Sequence, residues 1–244
     1  MPVPSDGDRD AMVSPPNGGR VYEHPAYVGL SDTTTSGRAR LDAIARWLQD
    51  AAYLDIVDAG LEDRGSWVVR RMRMRVERFP RFGEPLELKT WCSGASPVAA
   101  ERRTTILSAE GLVEAVATWV FLDNDSLRPM RLGPEFEAVY GSSANGRKAH
   151  TRLRHGPPPA KAERLDWRFR AADLDVAEHV NNAAYWTVAE ELMAGTREAE
   201  SLEVEIEFRE PAQAGPATVL REDGAVWISG PEGPLHASIA GLTA

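Results

Sequence analysis

One ten-residue segment holds most of the side chains that could carry out chemistry. Residues 173–182 read Asp-Leu-Asp-Val-Ala-Glu-His-Val-Asn-Asn, so three carboxylates, one imidazole and two carboxamides precede a predicted helix. An ordinary aspartate is ionised at neutral pH, so Asp175 is available as a base or a nucleophile. His179, four residues later, could orient a water molecule, donate to a leaving group or position Asp175.

Two interpretations of this segment stay open on the residues alone. In the first, Asn181 or Asn182 caps the helix by accepting from its free backbone N–H groups, and the acids favour its positive end. In the second, the same N–H groups hold the oxygen of a polarised carbonyl while a carboxylate attacks it or activates water. The second interpretation predicts a hydrolase.

The elements that position this segment are predicted twice along the chain. Residues 21–29 favour a strand, and apolar residues recur every three or four positions over 40–59, which predicts a long buried helix. Four strands follow, in the region after Gly65 and over 85–91, 99–108 and 112–123. Residues 133–163 lose this periodicity and contain three consecutive prolines, which predicts an extended linker.

The same order recurs after the linker. Residues 32–49 can be laid over 173–190, and Pro80 over Pro211, with further strands predicted over 204–209, 217–222, 225–229 and 235–241. We therefore predict an α+β fold, a tandem double hotdog in which antiparallel sheets wrap two long central helices and join into one continuous sheet. Two independent α+β domains are the alternative.

This repeat divides the chain into four parts. Residues 1–19 are predicted to be a flexible tail, 20–132 an N-terminal hotdog without an acid and histidine pair, and 164–244 a catalytic C-terminal hotdog beyond the linker. Thr34 lies over Asp175 and Arg38 over His179, so the chemistry is predicted to be confined to the second half.

Composition narrows the class of protein. The net charge of −9 argues against non-specific nucleic-acid binding, and the sequence has no long apolar run or apolar signal core. Cys92 is the single cysteine, which excludes an internal disulfide and agrees with a reducing, cytoplasmic location. We interpret Cys92 as a small buried hydrophobe. No metal and no cofactor are predicted, and a homodimer is left open.

At this point the sequence resembles the acyl-acyl carrier protein (acyl-ACP) thioesterases of plants and bacteria, which are double-hotdog enzymes. The resemblance rests on residues 67–72, 78–83 and 90–91 in the first half, and on the D-x-D-x-x-x-H-V-N-N-x-x-Tyr pattern of 173–185 in the second. It implies hydrolysis of a fatty acyl thioester, with the first half shaping much of the acyl pocket and Asp175 as the catalytic acid. The D-x-D-x-x-x-H-V-N-N pattern also resembles single-hotdog acyl-CoA thioesterases.

The chain departs from the family pattern at two places. Ala177 stands where the family usually has asparagine, and Pro211 and Ala212 stand where an acid or cysteine is expected. Glu178, Glu190 or Glu191 could substitute, the mechanism could be driven by the aspartate alone, or activity could be weak. The predicted site comprises two sets of residues: catalytic Asp175, His179, Asn181, Glu178 and Glu191; substrate-binding Asn182, Tyr185 and Trp67.

The predicted partner is an acyl carrier protein or coenzyme A that carries the acyl group. Because a carrier protein is expected to be acidic, the arginines at 70–81, with Arg102 and Arg103, form a candidate docking face; a solvated strand face is the alternative. A non-catalytic acyl-binding protein and, more weakly, a hotdog dehydratase or hydratase remain as other functions.

Overall fold

A computed structural model describes residues 12–194, 199–231 and 233–242. Residues 1–11 of the predicted tail lie outside the described residues, and residues 12–19 form no helix or strand. The structure has three α-helices in its described part: α1 (Leu41–Asp58), α2 (Pro134–Ala144) and α3 (Tyr185–Met193). None of these helices has both the length and the apolar character needed to cross a membrane.

Ten strands of the described chain form one antiparallel sheet. They are β1 (Tyr22–Tyr27), β2 (Ser66–Arg78), β3 (Pro85–Ser96), β4 (Ala99–Leu107), β5 (Leu112–Leu122), β6 (Glu163–Phe169), β7 (Leu202–Phe208), β8 (Gly215–Glu222), β9 (Ala225–Ser229) and β10 (Leu235–Ala240). Their order in the sheet is β1-β3-β4-β5-β2-β7-β10-β9-β8-β6. The first five strands come from the first half and the last five from the second, so the two halves share one sheet.

The junction between the halves is the pairing of β2 with β7. Residues 71–76 of β2 pair with 202–207 of β7, with Met72 opposite Ile206 and Met74 opposite Val204. These four side chains belong to one core and are almost fully buried. The predicted continuous sheet is confirmed, because a strand of each half buries an edge of the other.

The central helices differ in length. The helix α1 has 18 residues and buries one stripe that includes Leu41, Ile44 and Leu48, as an amphipathic helix on a sheet must. A 3₁₀ turn, Asn182–Ala184, leads into α3, which has nine residues. Residues 195–198, which follow α3, lie outside the described part, so the second predicted long helix is described only as this shorter one.

The segment 133–163 is only partly extended, whereas the sequence predicted an extended linker throughout. It begins with α2, whose Phe136 and Tyr140 pack beside Trp67 and Ile56 in a second apolar cluster. Pro at the helix start and Asn145 in the left-handed conformation at its end are ordinary helix boundaries. The apolar repeat of α2 is too short to be recognised in the sequence, because only four of its eleven residues are buried. The boundaries of the two hotdogs stay a prediction.

The rest of this segment passes across the outer face of the sheet, where it covers buried charges of β7. Glu207 accepts hydrogen bonds from the backbone N–H groups of Arg154, at 2.5 Å, and His155, at 3.0 Å. Glu205 lies 3.7 Å from Arg71 and 3.4 Å from Arg154. The connection after α2 is therefore attached to β7 by hydrogen bonds and an ion pair, and Arg71 of β2 reaches the same Glu205 from the first half.

Candidate functional site

The segment 173–182 forms a tight loop that is closed by backbone hydrogen bonds. Leu174 and Val180 form an antiparallel bridge. Inside the bridge, Asp175 N–H donates to His179 O at 2.9 Å, and Glu178 N–H donates to Asp175 O at 3.0 Å. Glu178 closes the turn at φ +60°, a left-handed conformation that costs a non-glycine residue energy. The loop therefore fixes the backbone positions from which the Asp175 and His179 side chains extend.

The first half contains the same loop, 141 residues earlier. Thr33 and Ala39 form the bridge, Thr34 N–H donates to Arg38 O at 2.9 Å, and Gly37 takes the left-handed position at φ +85°. The predicted overlay of residues 32–49 on 173–190 therefore extends to individual hydrogen bonds. What differs between the halves is the side chains that this backbone presents.

The loop is anchored at equivalent places in the two halves. Val180 N–H donates to Ala212 O, and Ala39 N–H donates to Pro80 O. The structural counterpart of Pro80 is therefore Ala212, one residue beyond the Pro211 that the sequence overlay selects. Neither Pro211 nor Ala212 carries a reactive side chain, and the backbone there anchors the loop.

Asp175 is half-buried and is held by its own loop. Its Oδ1 accepts a hydrogen bond from Ala177 N–H at 2.9 Å, and within the described residues no cation lies within ion-pairing distance of it. The His179 side chain is also half-buried. Both residues belong to the same loop, but in the described chain no hydrogen bond or ion pair joins their side chains.

The start of the second helix offers one free backbone donor. Asn181 caps the helix, since its Oδ1 accepts from Ala183 N–H at 2.8 Å, while Ala184 N–H donates to Asn181 O. Asn182 N–H makes no hydrogen bond to any residue that the structure describes. The capping interpretation therefore holds for Asn181, and Asn182 retains a donor that can hold a carbonyl oxygen.

The equivalent donor in the first half is occupied. Leu41 N–H, at the start of α1, donates to Glu190 Oε1 at 2.6 Å. Both Glu190 oxygens also accept from the Arg38 guanidinium, each at 2.9 Å, and the two side chains are only 10% and 8% exposed. Glu190 therefore cannot substitute for a missing catalytic acid, because its carboxylate fills the first-half helix start.

Tyr185 brings a hydroxyl to the loop. Its ring is buried against Phe169 and Phe208, with centroids 5.1 and 5.6 Å away. Burial raises the pKa of Tyr185 to about 12, a hydrogen bond from the Ala212 backbone opposes this rise, and the nearby Asp175 charge adds to it. The phenol is therefore neutral at physiological pH and lies close enough to Asp175 to feel its charge.

The remaining predicted residues lie in different places. Glu178 is exposed at the tip of the loop, and Glu191 is exposed in a surface groove of about 760 Å³ that is also lined by Arg40 and Asp173. Asp175 and His179 do not line that groove. Trp67 packs on Phe121, with ring centroids 4.8 Å apart, and belongs to the apolar cluster beneath α2. The structure does not bring Trp67 together with the Asp175 loop.

The prediction of an arginine docking face is wrong for four of its members. Arg71, Arg73, Arg102 and Arg103 are each at most 9% exposed. They pair in turn with Glu205, Glu203, Asp55 and Glu114. The alternation of basic and apolar residues along β2 comes from a sheet buried on both faces, because the connection after α2 covers the outer one.

One buried cluster consists of side chains that can bind a metal ion, although the sequence predicted no metal site. Donor atoms of His155, Glu205 and Glu207 lie within 4.8 Å of one another. Arginines already neutralise these carboxylates, and His155 Nδ1 is hydrogen-bonded to Ser238 at 2.9 Å. We interpret the group as the ionic attachment of the connection to the sheet.

The fold and the loop define a class: a tandem double hotdog with one acid-bearing loop at a helix start. The chain belongs to the acyl-ACP thioesterase family, because the model of the family's N-terminal domain matches residues 19–140 and that of its C-terminal domain matches 157–221. The family predicted from the sequence is thereby confirmed.

Individual relatives agree with this assignment. The chloroplastic oleoyl-acyl carrier protein thioesterase 2 of Arabidopsis thaliana is 27% identical over 192 residues, which are 68% of this chain and 50% of the relative. This chain thus spans about half of that plant protein. The fold matches the 12:0-ACP thioesterase of Umbellularia californica, with a TM-score of 0.72, 17% identity and coverage of 90% and 95%. It also matches an acyl-ACP thioesterase of Bacteroides thetaiotaomicron, with a TM-score of 0.70, 14% identity and coverage of 90% and 96%.

Proposed function

We propose that this protein hydrolyses fatty acyl thioesters, with acyl-ACP as the substrate, and releases a free fatty acid. The observation that carries the proposal is the contrast between the two helix starts. In the second half the Asn182 N–H has no partner among the described residues and lies at the loop of Asp175, whereas in the first half Glu190 occupies the same donor. One half therefore has both an oxyanion donor and an acid, and the other half has neither available.

The reaction follows from this geometry. The thioester carbonyl oxygen accepts from Asn182 N–H, where the positive end of the helix stabilises the charge that develops on it. Asp175 either takes a proton from water, so that hydroxide attacks the carbonyl carbon, or attacks the carbon itself to form an anhydride that water then cleaves. The C–S bond breaks, the electron pair leaves with sulfur, and a proton from the consumed water yields the thiol.

The loop supports Asp175 in a way that does not need the family asparagine. Ala177 N–H holds Oδ1 at 2.9 Å, which leaves Oδ2 to face water or substrate. The Tyr185 hydroxyl, kept neutral by burial, is a further donor near the carboxylate. His179 has no side-chain hydrogen-bond partner in the described chain, so we assign it to the orientation of water or of the leaving sulfur.

The proposal is tested by thiol release from a panel of acyl-ACP and acyl-CoA substrates of different chain lengths. We expect faster turnover of the carrier-bound substrates and loss of turnover by about 100-fold or more in Asp175→Ala. Equal turnover of both carriers would indicate an acyl-CoA thioesterase. Binding of acyl groups without thiol release would contradict an enzymatic role.

We place the reaction in the cytoplasm, which suits the free and buried Cys92, whose pKa is raised by burial to about 11. The acyl carrier protein is the proposed partner, and its docking site no longer includes the buried arginines of β2 and β4. A homodimer stays a prediction.

A further inference from the structure

The two halves of the chain are related by an approximate two-fold axis. The equivalent strands β2 and β7 pair with each other antiparallel. The loops repeat the same backbone hydrogen bonds: Arg40 N–H donates to Asp32 O at 2.8 Å. In the second half, 141 residues later, Asn181 N–H donates to Asp173 O, also at 2.8 Å. Under two-fold symmetry, a contact from one half to the other has a counterpart in the reverse direction.

One contact between the halves reaches the start of α1. Glu190, on α3, accepts from Leu41 N–H at 2.6 Å. The position equivalent to Leu41 is Asn182, and the position equivalent to Glu190 is Gln49 on α1. The two-fold relation therefore places Gln49 at the Asn182 helix start. This placement requires α1 to pack against the 182–184 turn, and it does.

Gln49 differs from Glu190 in its hydrogen bonding. Both side chains are half-buried, but the Gln49 carboxamide makes no hydrogen bond to any residue that the structure describes. The Asn182 N–H is also without a partner in the described chain. Polar groups that are partly removed from water are normally satisfied by protein, water or a ligand. Two polar groups that can still bind a ligand therefore belong to one helix start, beside the Asp175 loop.

The residue type at position 49 decides what this helix start can bind. An ionised carboxylate only accepts hydrogen bonds, so Glu190 occupies the Leu41 donor and closes the first-half helix start. A carboxamide is neutral and carries two N–H donors. Gln49 can therefore donate to the same carbonyl oxygen as Asn182 N–H, and it brings no negative charge that would repel the developing oxyanion.

We infer that Gln49 is a catalytic residue supplied by the first half, and that its carboxamide N–H and the Asn182 N–H together hold the thioester carbonyl oxygen; this rests on the proposed thioesterase function. When the nucleophile adds to the carbonyl carbon, the π electron pair moves onto the oxygen, where both donors stabilise the charge. The pair then returns to re-form the carbonyl as the C–S bond breaks. The acid and the backbone donor stay in the second half, and α1 adds one side-chain donor.

The variant Gln49→Ala tests this role. It removes the donor at a half-buried position, so we expect kcat for acyl-ACP to fall about 100-fold with little change in KM. The matched control is Asp50→Asn, at the exposed neighbouring position of α1, which should keep wild-type turnover. Denaturant unfolding checks that both variants are folded.

A thioether analogue of the substrate separates catalysis from a structural role. It presents the acyl chain and the carrier without a carbonyl oxygen, so its inhibition constant should be the same for the wild type and Gln49→Ala. If Gln49→Ala weakens thioether binding as much as it lowers turnover, the substitution distorts the site, and the assignment of Gln49 as a donor is overturned.

The variant Gln49→Glu keeps the side-chain shape and covers the case in which Gln49→Ala does not fold. Its carboxylate can accept from Asn182 N–H, as Glu190 does from Leu41 N–H, so turnover should fall by about 100-fold or more. Wild-type turnover by either folded variant would overturn the inference and leave the proposed function intact. Absence of thiol release from every substrate by the wild-type protein would instead refute the proposed function itself.

Discussion

At the scale of single residues, one backbone donor separates the two halves. The N–H at the start of each central helix has the same place in the loop, but Leu41 donates to Glu190, whereas Asn182 has no partner in the described chain. The glutamate also neutralises Arg38, which stands where the second half has His179. A potential anion site in the first half is therefore closed by the protein's own carboxylate.

This arrangement predicts a structural role for Glu190. Glu190→Gln removes the charged partner of a buried guanidinium and should lower the free energy of unfolding by about 3–5 kcal/mol. Denaturant unfolding measures the loss, and Glu191→Gln, an exposed neighbour, is the control that should change little. Unchanged stability of Glu190→Gln together with lost turnover would mean that Glu190 is catalytic after all.

Glu178 provides a second test at this scale, because the first half has Gly37 at its position. Glu178→Gly relieves the left-handed backbone and leaves Asp175 in place. We expect stability to change by less than about 1 kcal/mol and turnover to stay within about threefold of wild type. Severe loss of turnover, with the fold intact by circular dichroism, would show that the Glu178 carboxylate takes part in the reaction.

At the scale of elements, the β2–β7 junction explains the arginines that the sequence pattern could not place. Arg71 and Arg73 alternate with apolar residues and so resemble a solvated strand face. They are in fact covered and paired with Glu205 and Glu203. Their partners lie on the other half of the chain, and a local pattern carries no information about such pairs.

The junction predicts the effect of charge reversal. Arg71→Glu places a carboxylate beside the buried Glu205 and should lower the free energy of unfolding by about 3–5 kcal/mol. Arg81→Glu, at an exposed position, is the matched control and should be nearly neutral. If Arg71→Glu is as stable as the wild type but loses turnover of acyl-ACP and not of acyl-CoA, the result would contradict this account and support the arginine docking face.

Local sequence patterns predict the elements better than the surroundings of those elements. Most strands and α1 match their predicted bounds closely, because alternation and the 3.6-residue period are local, but β3 runs five residues beyond its predicted end and β6 was not predicted. The helix α2 was missed since its apolar face is short, and the capping by Asn181 was predicted only as one alternative. The occupied Leu41 donor could not be predicted, since it depends on the contact between α1 and α3.

At the scale of the whole molecule, buried tyrosine and cysteine side chains that must stay protonated limit the stability of the fold at high pH. Burial raises the pKa of Tyr140 and of Tyr185 to about 12 and that of Cys92 to about 11. The ordinary pKa values of these side chains are 10.0 and 9.0, so the unfolded state loses these protons first. The contribution of these three groups to the free energy of unfolding is fully present below pH 9. It is lost as pH rises from 9 to 12, by up to about 1.4 kcal/mol per pH unit for each group.

This dependence is measured by denaturant unfolding between about pH 8 and pH 11, a range that spans the ordinary pKa values of these groups. Tyr140→Phe should have a shallower loss of stability than the wild type, since one of the three groups is removed. A wild-type stability that stays constant across this range would contradict the buried, neutral state of these side chains.

A single half of the duplicated chain is proposed to carry the chemistry. The most direct test compares thiol release by Asp175→Asn, which keeps the shape of the side chain, with release by Thr34→Ala at the matching loop position of the first half. We predict that Asp175→Asn loses about 100-fold or more in kcat/KM for acyl-ACP, and that Thr34→Ala keeps wild-type turnover. Full turnover by Asp175→Asn, or equal losses in the two variants, would contradict this division between the halves.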